Sequence, residues 1–152
     1  MKKYPTKDEI LAIPMSFDLT TLNIVKEWKT KDWKEARKHT TNPKEKFKAI
    51  ERLLQELAGH FKITDLKVEW VPEASDCYVS TLKNKISLNR RLSIITALHE
   101  LAHILNKSDD EKYACRWSIW LYMQTFPITF KSLIWKGHML IRPESSECIN
   151  DK

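Results

Sequence analysis

The chain of 152 residues is 42% hydrophobic and 30% charged, enough for one ordinary core and too short for two comfortable domains. Its apolar stretches fall far below the eighteen or so residues of a membrane span. Three cysteines with no C-x-x-C pair, and no signal peptide, argue against a disulfide scaffold and for a cytoplasmic, reducing setting.

The net charge of +6 is unevenly spread. Between Lys26 and Lys48, nine Lys or Arg face four Asp or Glu, which accounts for +5 of it. A basic stretch containing Trp28 and Trp33 suits nucleic acid, an acidic protein or an anionic surface. The interrupting acids and the lack of a recognisable nucleic-acid module favour a solvated helix face with inward tryptophans.

In chain order, residues 1–18 hold two prolines and read as an irregular lead-in. Leu22, Val25, Trp28 and Trp33 roughly keep a helical period. After HTTNP, Asn42 can cap a helix with Pro43 in its first turn. Phe47, Ile50, Leu53, Leu54, Leu57 and Ala58 form its stripe, and Gly59 closes it. The period then changes to that of strands. LKVEWV alternates, PEASD turns, and CYVSTLK and KISLN form two more strands joined around Asn84. SIITALHELAHIL is a helix capped by Ser93 and ended by Asn106. Another begins near Ser108 and runs through Ala114, Trp117 and Leu121 toward Pro127. Residues 128–142 mix both periods, and 143–152 read as a flexible tail.

HELAH is the stretch that carries chemistry. His99 and His103, four apart on a helix, face the same way and can converge on one Zn2+ ion. Thr96 shares their face, beside the inward stripe of Ile94, Leu98, Leu101 and Leu105. Glu100 follows the first histidine, angled off the ion but close enough to take a proton from a water there. Chance alone produces such a five-letter match in about one chain in a hundred at average Glu usage. The strand-turn-strand before it, the helix beneath it and the acids after it raise its weight.

A hydrolytic zinc site takes three protein ligands and leaves one position open. Glu111, Asp109, Asp110 and the distant His138 are candidates for the third. Ser108-Asp-Asp-Glu111 is also a ready capping box that would occupy Glu111. Asp109, for its part, falls where a metzincin-like pattern puts its third ligand, with Asn106 in place of glycine.

KISLNRRLSIITALHELAH followed by EKYACRWS resembles the ImmA/IrrE-type zinc peptidases, which carry a strand, a linker, H-E-x-x-H and a later E-x-x-A-x-x-F-A helix. The resemblance covers about residues 66–125, with the helix at 43–58 matching the family's leading helix. It puts Glu111 on the family's ligand position, Ala114 on its alanine, and Trp117 and Ser118 on its Phe-Ala pair. Ala102 replaces the frequent glycine, Trp117 a phenylalanine, and the seven-residue linker from His103 to Glu111 is short for the group. The small-Met-Pro ending survives only as TFP.

The resemblance implies an α+β fold, a single zincin-like domain over 19–142 with a small antiparallel or mixed sheet. It also implies a metallopeptidase whose substrate is a peptide or protein, such as a repressor, with a DNA-bound regulator as partner. In that assignment His99, His103 and Glu111 hold zinc and Glu100 is catalytic. CYVSTLK or KISLN can offer a sheet edge to substrate. Tyr78, His138 and Arg142 are candidate oxyanion partners, and Tyr113 and Arg116 can brace the metal ligands. His60 reads as an end-of-helix surface residue and Cys115 as a buried one. The alternatives are a non-catalytic zinc-stabilised protein, or a basic module binding nucleic acid or a regulator through residues 26–48.

Overall fold

The structure, a computed structural model, describes residues 3–39 and 41–143. Apart from Pro143, the expected flexible tail lies outside the described residues. The lead-in departs from expectation. Thr6 and Glu9 form a reciprocal capping box that starts α1 (Lys7–Leu11), and Ile10 on that single turn is fully buried.

Asp18 caps α2 (Leu19–Trp28), accepting from the backbone N–H of Thr21. A π turn over Lys29–Trp33 then leads into α3 (Lys34–Ala36). The i→i+5 bonding of a π turn sets residues five apart nearly above one another, and the rings of Trp28 and Trp33 stack with centroids 5.2 Å apart. This is why the apolar spacing here only approximates 3.6. Both tryptophans are buried, and the Trp28 indole donates to the carbonyl of Ala49 at 2.7 Å. Neither is available for base stacking. Lys29 is also turned inward, donating to the Thr125 carbonyl and lying over the Phe126 ring.

Asn42 caps α4 (Pro43–His60), as its sequence predicts, and the helix buries Ile50, Leu53, Leu54, Leu57 and Ala58. Gly59 does not close it. The helix runs on one residue to His60, and the left-handed position falls on Lys62 at φ 64°. The signal for glycine at a helix end misplaced the stop because Lys62 adopts the conformation glycine usually supplies.

The sheet is mixed. β1 (Lys67–Trp70) runs parallel to β3 (Lys85–Leu88), and β2 (Tyr78–Ser80) pairs antiparallel with β3, giving the order β1-β3-β2. Asn84, at φ 49°, serves the turn before β3. KISLN is therefore the central strand. It cannot offer an edge to a peptide, which leaves CYVSTLK as the edge strand of the two.

Ser93 accepts from the Thr96 N–H and starts α5 (Ile94–Asn106), whose stop falls on left-handed Lys107. Ala97, Leu98, Leu101, Ala102 and Ile104 bury against α4, the sheet and the next helix, α6 (Glu111–Thr125). At about 1.5–3 kcal/mol per fully buried aliphatic side chain, this contact is a main source of the stability that fixes the motif. The residues of mixed period become α7 (Pro127–Ser132) and a hairpin of β4 (Ile134–Lys136) and β5 (Met139–Ile141), which turns through Gly137 at φ 64°.

The main core joins α2, α4, α5, α6 and the sheet. A second, smaller cluster of Ile10, Cys115 and Ile119, flanked by Trp135 and Leu140, ties α1 and the hairpin to α6. No helix among the described residues is long and apolar enough to cross a membrane.

Candidate metal centre

The chain leaves α5 at Lys107 and re-enters a helix at Glu111, so the start of α6 stands beside the end of α5. Asp110 is the helix cap, accepting from the N–H groups of Lys112 and Tyr113. Ser108 Oγ accepts from the Asp110 N–H. The predicted Ser108–Glu111 capping box is not formed, and the Glu111 side chain points instead to the histidines. Asp109 is exposed.

His99, His103 and Glu111 converge. Glu111 Oε1 lies 2.6 Å from His103 Nε2 and 3.0 Å from His99 Nε2, and the two Nε2 atoms are 3.2 Å apart. Glu111 and His103 are buried, while His99 keeps some exposure toward a cavity. Tetrahedral zinc with bonds of about 2.0–2.1 Å holds its ligand atoms about 3.3 Å apart. Two edges of the triangle are already within about 0.3 Å of that spacing, and the third, Glu111 to His103, need open by about 0.7 Å, within reach of a small side-chain rotation, so these residues fit an ion.

The donor chemistry fits as well. His103 Nδ1 lies 2.9 Å from the carbonyl of Ser108. A carbonyl only accepts, so Nδ1 carries the proton. In the neutral ring, Nε2 then aims a lone pair at the carboxylate oxygen. Acceptors converging in this way need a cation or an additional proton among them, and a backbone carbonyl behind a histidine is the usual way to orient a metal ligand. A shared proton in a buried ion pair is the competing way to satisfy the 2.6 Å contact.

Electrostatics separate the partners. Burial, aided by the neighbouring His103, pushes His99 down to about 4, against the opposing pull of Glu111. Its imidazole is therefore neutral at pH 7, the form that ligates. Burial alone would raise Glu111, but a proton carried on the facing histidine nitrogens outweighs that and holds the carboxyl below its ordinary range.

Glu100, also buried, lines the same cavity of about 300 Å³ as His99, Thr96 and Glu111. The hairpin also lines it through His138, Met139 and Leu140, as does Tyr4 of the lead-in. Near the sheet, buried Asn89 donates to the Ser75 carbonyl and accepts from the Arg91 N–H, which sets the chain before β2 against the cavity.

Of the other expected residues, His138 faces the cavity. Tyr78 and Arg142 are exposed and are not among the described residues lining it. Arg116 does not brace the ligands, since it donates to the carbonyl of Ile13. Tyr113 packs against the main core. His60 lies at the end of α4, 2.9 Å from Asp18. Cys115 is buried, which pushes its thiol up to about 12 and leaves it a poor nucleophile. Tyr4 and Asn89 escaped the sequence reading because neither sits in a local pattern. Only the tertiary fold brings them to the cavity.

No family model matches the chain, and no curated protein or solved structure is similar enough to it to count as a match.

Proposed function

We propose that the chain is a zinc-dependent endopeptidase with a zincin-like domain, in which His99, His103 and Glu111 hold Zn2+ and Glu100 is the catalytic base. The observation that carries this reading is the meeting of two imidazoles and one buried carboxylate within 4.8 Å of one another, with a second carboxylate lining the adjoining cavity. When bound, zinc supplies Lewis acidity that acidifies water and polarises a carbonyl. Glu100 takes a proton from the water that attacks the peptide carbonyl carbon, then passes it to the amine that leaves. The His103–Ser108 contact keeps that ring in one tautomer throughout.

An extended peptide can pair with the open edge of β2, which α5 adjoins, and run into the cavity beside Asp76 and Cys77. The resemblance to ImmA/IrrE-type peptidases suggests a regulatory protein such as a repressor as the substrate, with a DNA-bound regulator as its setting. Among the described residues Cys77 and Cys115 are free thiols, which suits a cytoplasmic location.

The test uses purified full chain loaded with zinc and a library of unstructured peptides read by mass spectrometry. The chain should cleave members of the library, and Glu100→Gln should keep stoichiometric zinc while losing turnover by more than 100-fold, the low end of general-base contributions being about that. Retained cleavage in the variant would remove Glu100 from its role. Absence of zinc from the unsubstituted chain would remove the metal.

A further inference from the structure

The cavity beside the metal centre is lined by two connected sets of residues of different chemistry, and one of them grows out of the helix pair that holds the ligands. On α5, Ile95 lies one turn before His99, and on α6, Cys115 and Ile119 lie one and two turns after Glu111. Residues four apart share a helix face, so on each helix the face that carries a ligand continues as an apolar one. All three line the cavity, together with Leu140 of the hairpin. Cys115 and Ile119 belong to the smaller apolar cluster, and Ile95 and Leu140 pack against it. This set begins one helical turn, about 5.4 Å along the axis, from His99 and Glu111.

No charged group belongs to that set. Ser118, beside Ile119 on the lining, donates its hydroxyl to the Ala114 carbonyl, and burial pushes the Cys115 thiol up to about 12, which keeps it protonated. The Asp, Glu and Arg residues among the described lining are Glu100 and Glu111 of the centre and the exposed Asp76 and Arg91. These last two belong to the second set, which Asn89 ties together. Its side chain donates to the Ser75 carbonyl and accepts from the Arg91 N–H and the Cys77 thiol. A charged side chain entering the apolar set would leave water without gaining a partner. An aliphatic one would remove from water its own surface and that of the partly buried Ile95 and Leu140.

We propose that Ile95, Cys115, Ile119 and Leu140 form a specificity subsite that seats one aliphatic side chain next to the cleaved bond. The substrates are then peptides cut beside Leu, Ile, Val or Met and not beside a charged residue. The inference rests on the peptidase reading above and deepens it by naming the substrate class. An extended peptide on the β2 edge turns alternate side chains to opposite faces of the sheet, and α5 lies against β2 and β3. A single side chain beside the bond, rather than a run of them, therefore enters the cavity of about 300 Å³.

The test profiles cleavage of the peptide library by the zinc-loaded full chain, then compares the best-cleaved peptide with versions carrying Ala, Asp or Lys at the selected position. Cut sites should share Leu, Ile, Val or Met at one fixed position beside the bond. The value of kcat/KM should fall about 10-fold or more for Ala, on the scale of lost methylenes in an apolar pocket, and further for Asp and Lys. Peptide Kd on the zinc-loaded Glu100→Gln chain, read by calorimetry, should follow the same ranking without turnover. Ile95→Phe narrows the subsite and should move the preference from Leu to Ala. Leu140→Lys brings a cation to it and should move the preference from Leu to Asp. Far-UV circular dichroism checks that both variants fold. Cleavage with no preference beside the bond, or with a charged residue preferred there, would overturn the subsite and leave the peptidase standing. A preference unchanged in both folded variants would overturn its assignment to these residues. A zinc-loaded chain that cleaves no peptide would overturn the peptidase reading and this inference with it.

Discussion

Asp109, Asp110 and Glu111 are adjacent in sequence and similar in chemistry, yet the loop after Lys107 gives each a different surrounding. Asp109 is in solvent, Asp110 is occupied by two backbone N–H groups, and Glu111 turns inward to both imidazoles. Substitution should separate them. Glu111→Ala should lower zinc affinity by more than the roughly 100-fold typical of losing an outer partner. Asp110→Ala should keep zinc and lose about 1 kcal/mol of stability with its cap. Asp109→Ala should change neither. Isothermal titration with Zn2+ and denaturant melts of the three variants provide the comparison, and loss of zinc in Asp109→Ala with retention in Glu111→Ala would reverse the assignment. The histidine pair was legible from spacing alone, because residues four apart on a helix share a face whatever surrounds them. The acid was not, because Ser108-Asp-Asp-Glu111 is compatible with a capping box and with a ligand, and only the side chain chosen by the loop distinguishes them.

Caps set the element boundaries, and Asp18 shows one with a pH signature. It accepts from the backbone and the hydroxyl of Thr21 at the start of α2 and meets His60 from the end of α4 at 2.9 Å. The Thr21 hydroxyl, foremost, holds its carboxyl below the ordinary 3.8, with help from the Thr21 N–H and His60. A folded-state value below the unfolded one means the contribution is whole above about 4 and fades as pH falls through the lower folded value. Asp18→Ala should therefore cost about 1 kcal/mol near neutrality, and the gap from the unsubstituted chain should narrow below pH 4. Urea melts across pH would show it, and a gap independent of pH would rule out the carboxylate as its source. Elements with strong periodicity or a clear cap, α4 and α5 above all, were legible. The π turn was not, since it changes the period within one helical run. Nor was β3 identifiable as the central strand, because β1 pairs in parallel with β3 and not with its sequence neighbour β2, which no local pattern records. The last residues of mixed period became a hairpin only through packing against Ile10 and α6.

At the scale of the whole molecule, the core and the candidate centre are distinct in composition. The main core runs through Val25, Trp28, Leu53, Leu54, Leu57, Ile86, Leu98 and Leu101, all at most 2% exposed, while the candidate ligands His99, His103 and Glu111 belong to α5 and α6, beside the cavity. Burial at about 25 cal/mol per Å² therefore supports the scaffold without help from an ion. This differs from small zinc modules, whose folding free energy is largely that of metal binding. Zinc should accordingly act as a ligand of the folded chain. At a free concentration 100 times its dissociation constant it adds about 2.7 kcal/mol, or about 5–11 °C in Tm for a chain of this size. Stripping zinc with a chelator should lower Tm by that order and leave the far-UV dichroism of the helices intact at 25 °C. Collapse of the dichroism on chelation would instead make the site structural and favour the non-catalytic alternative.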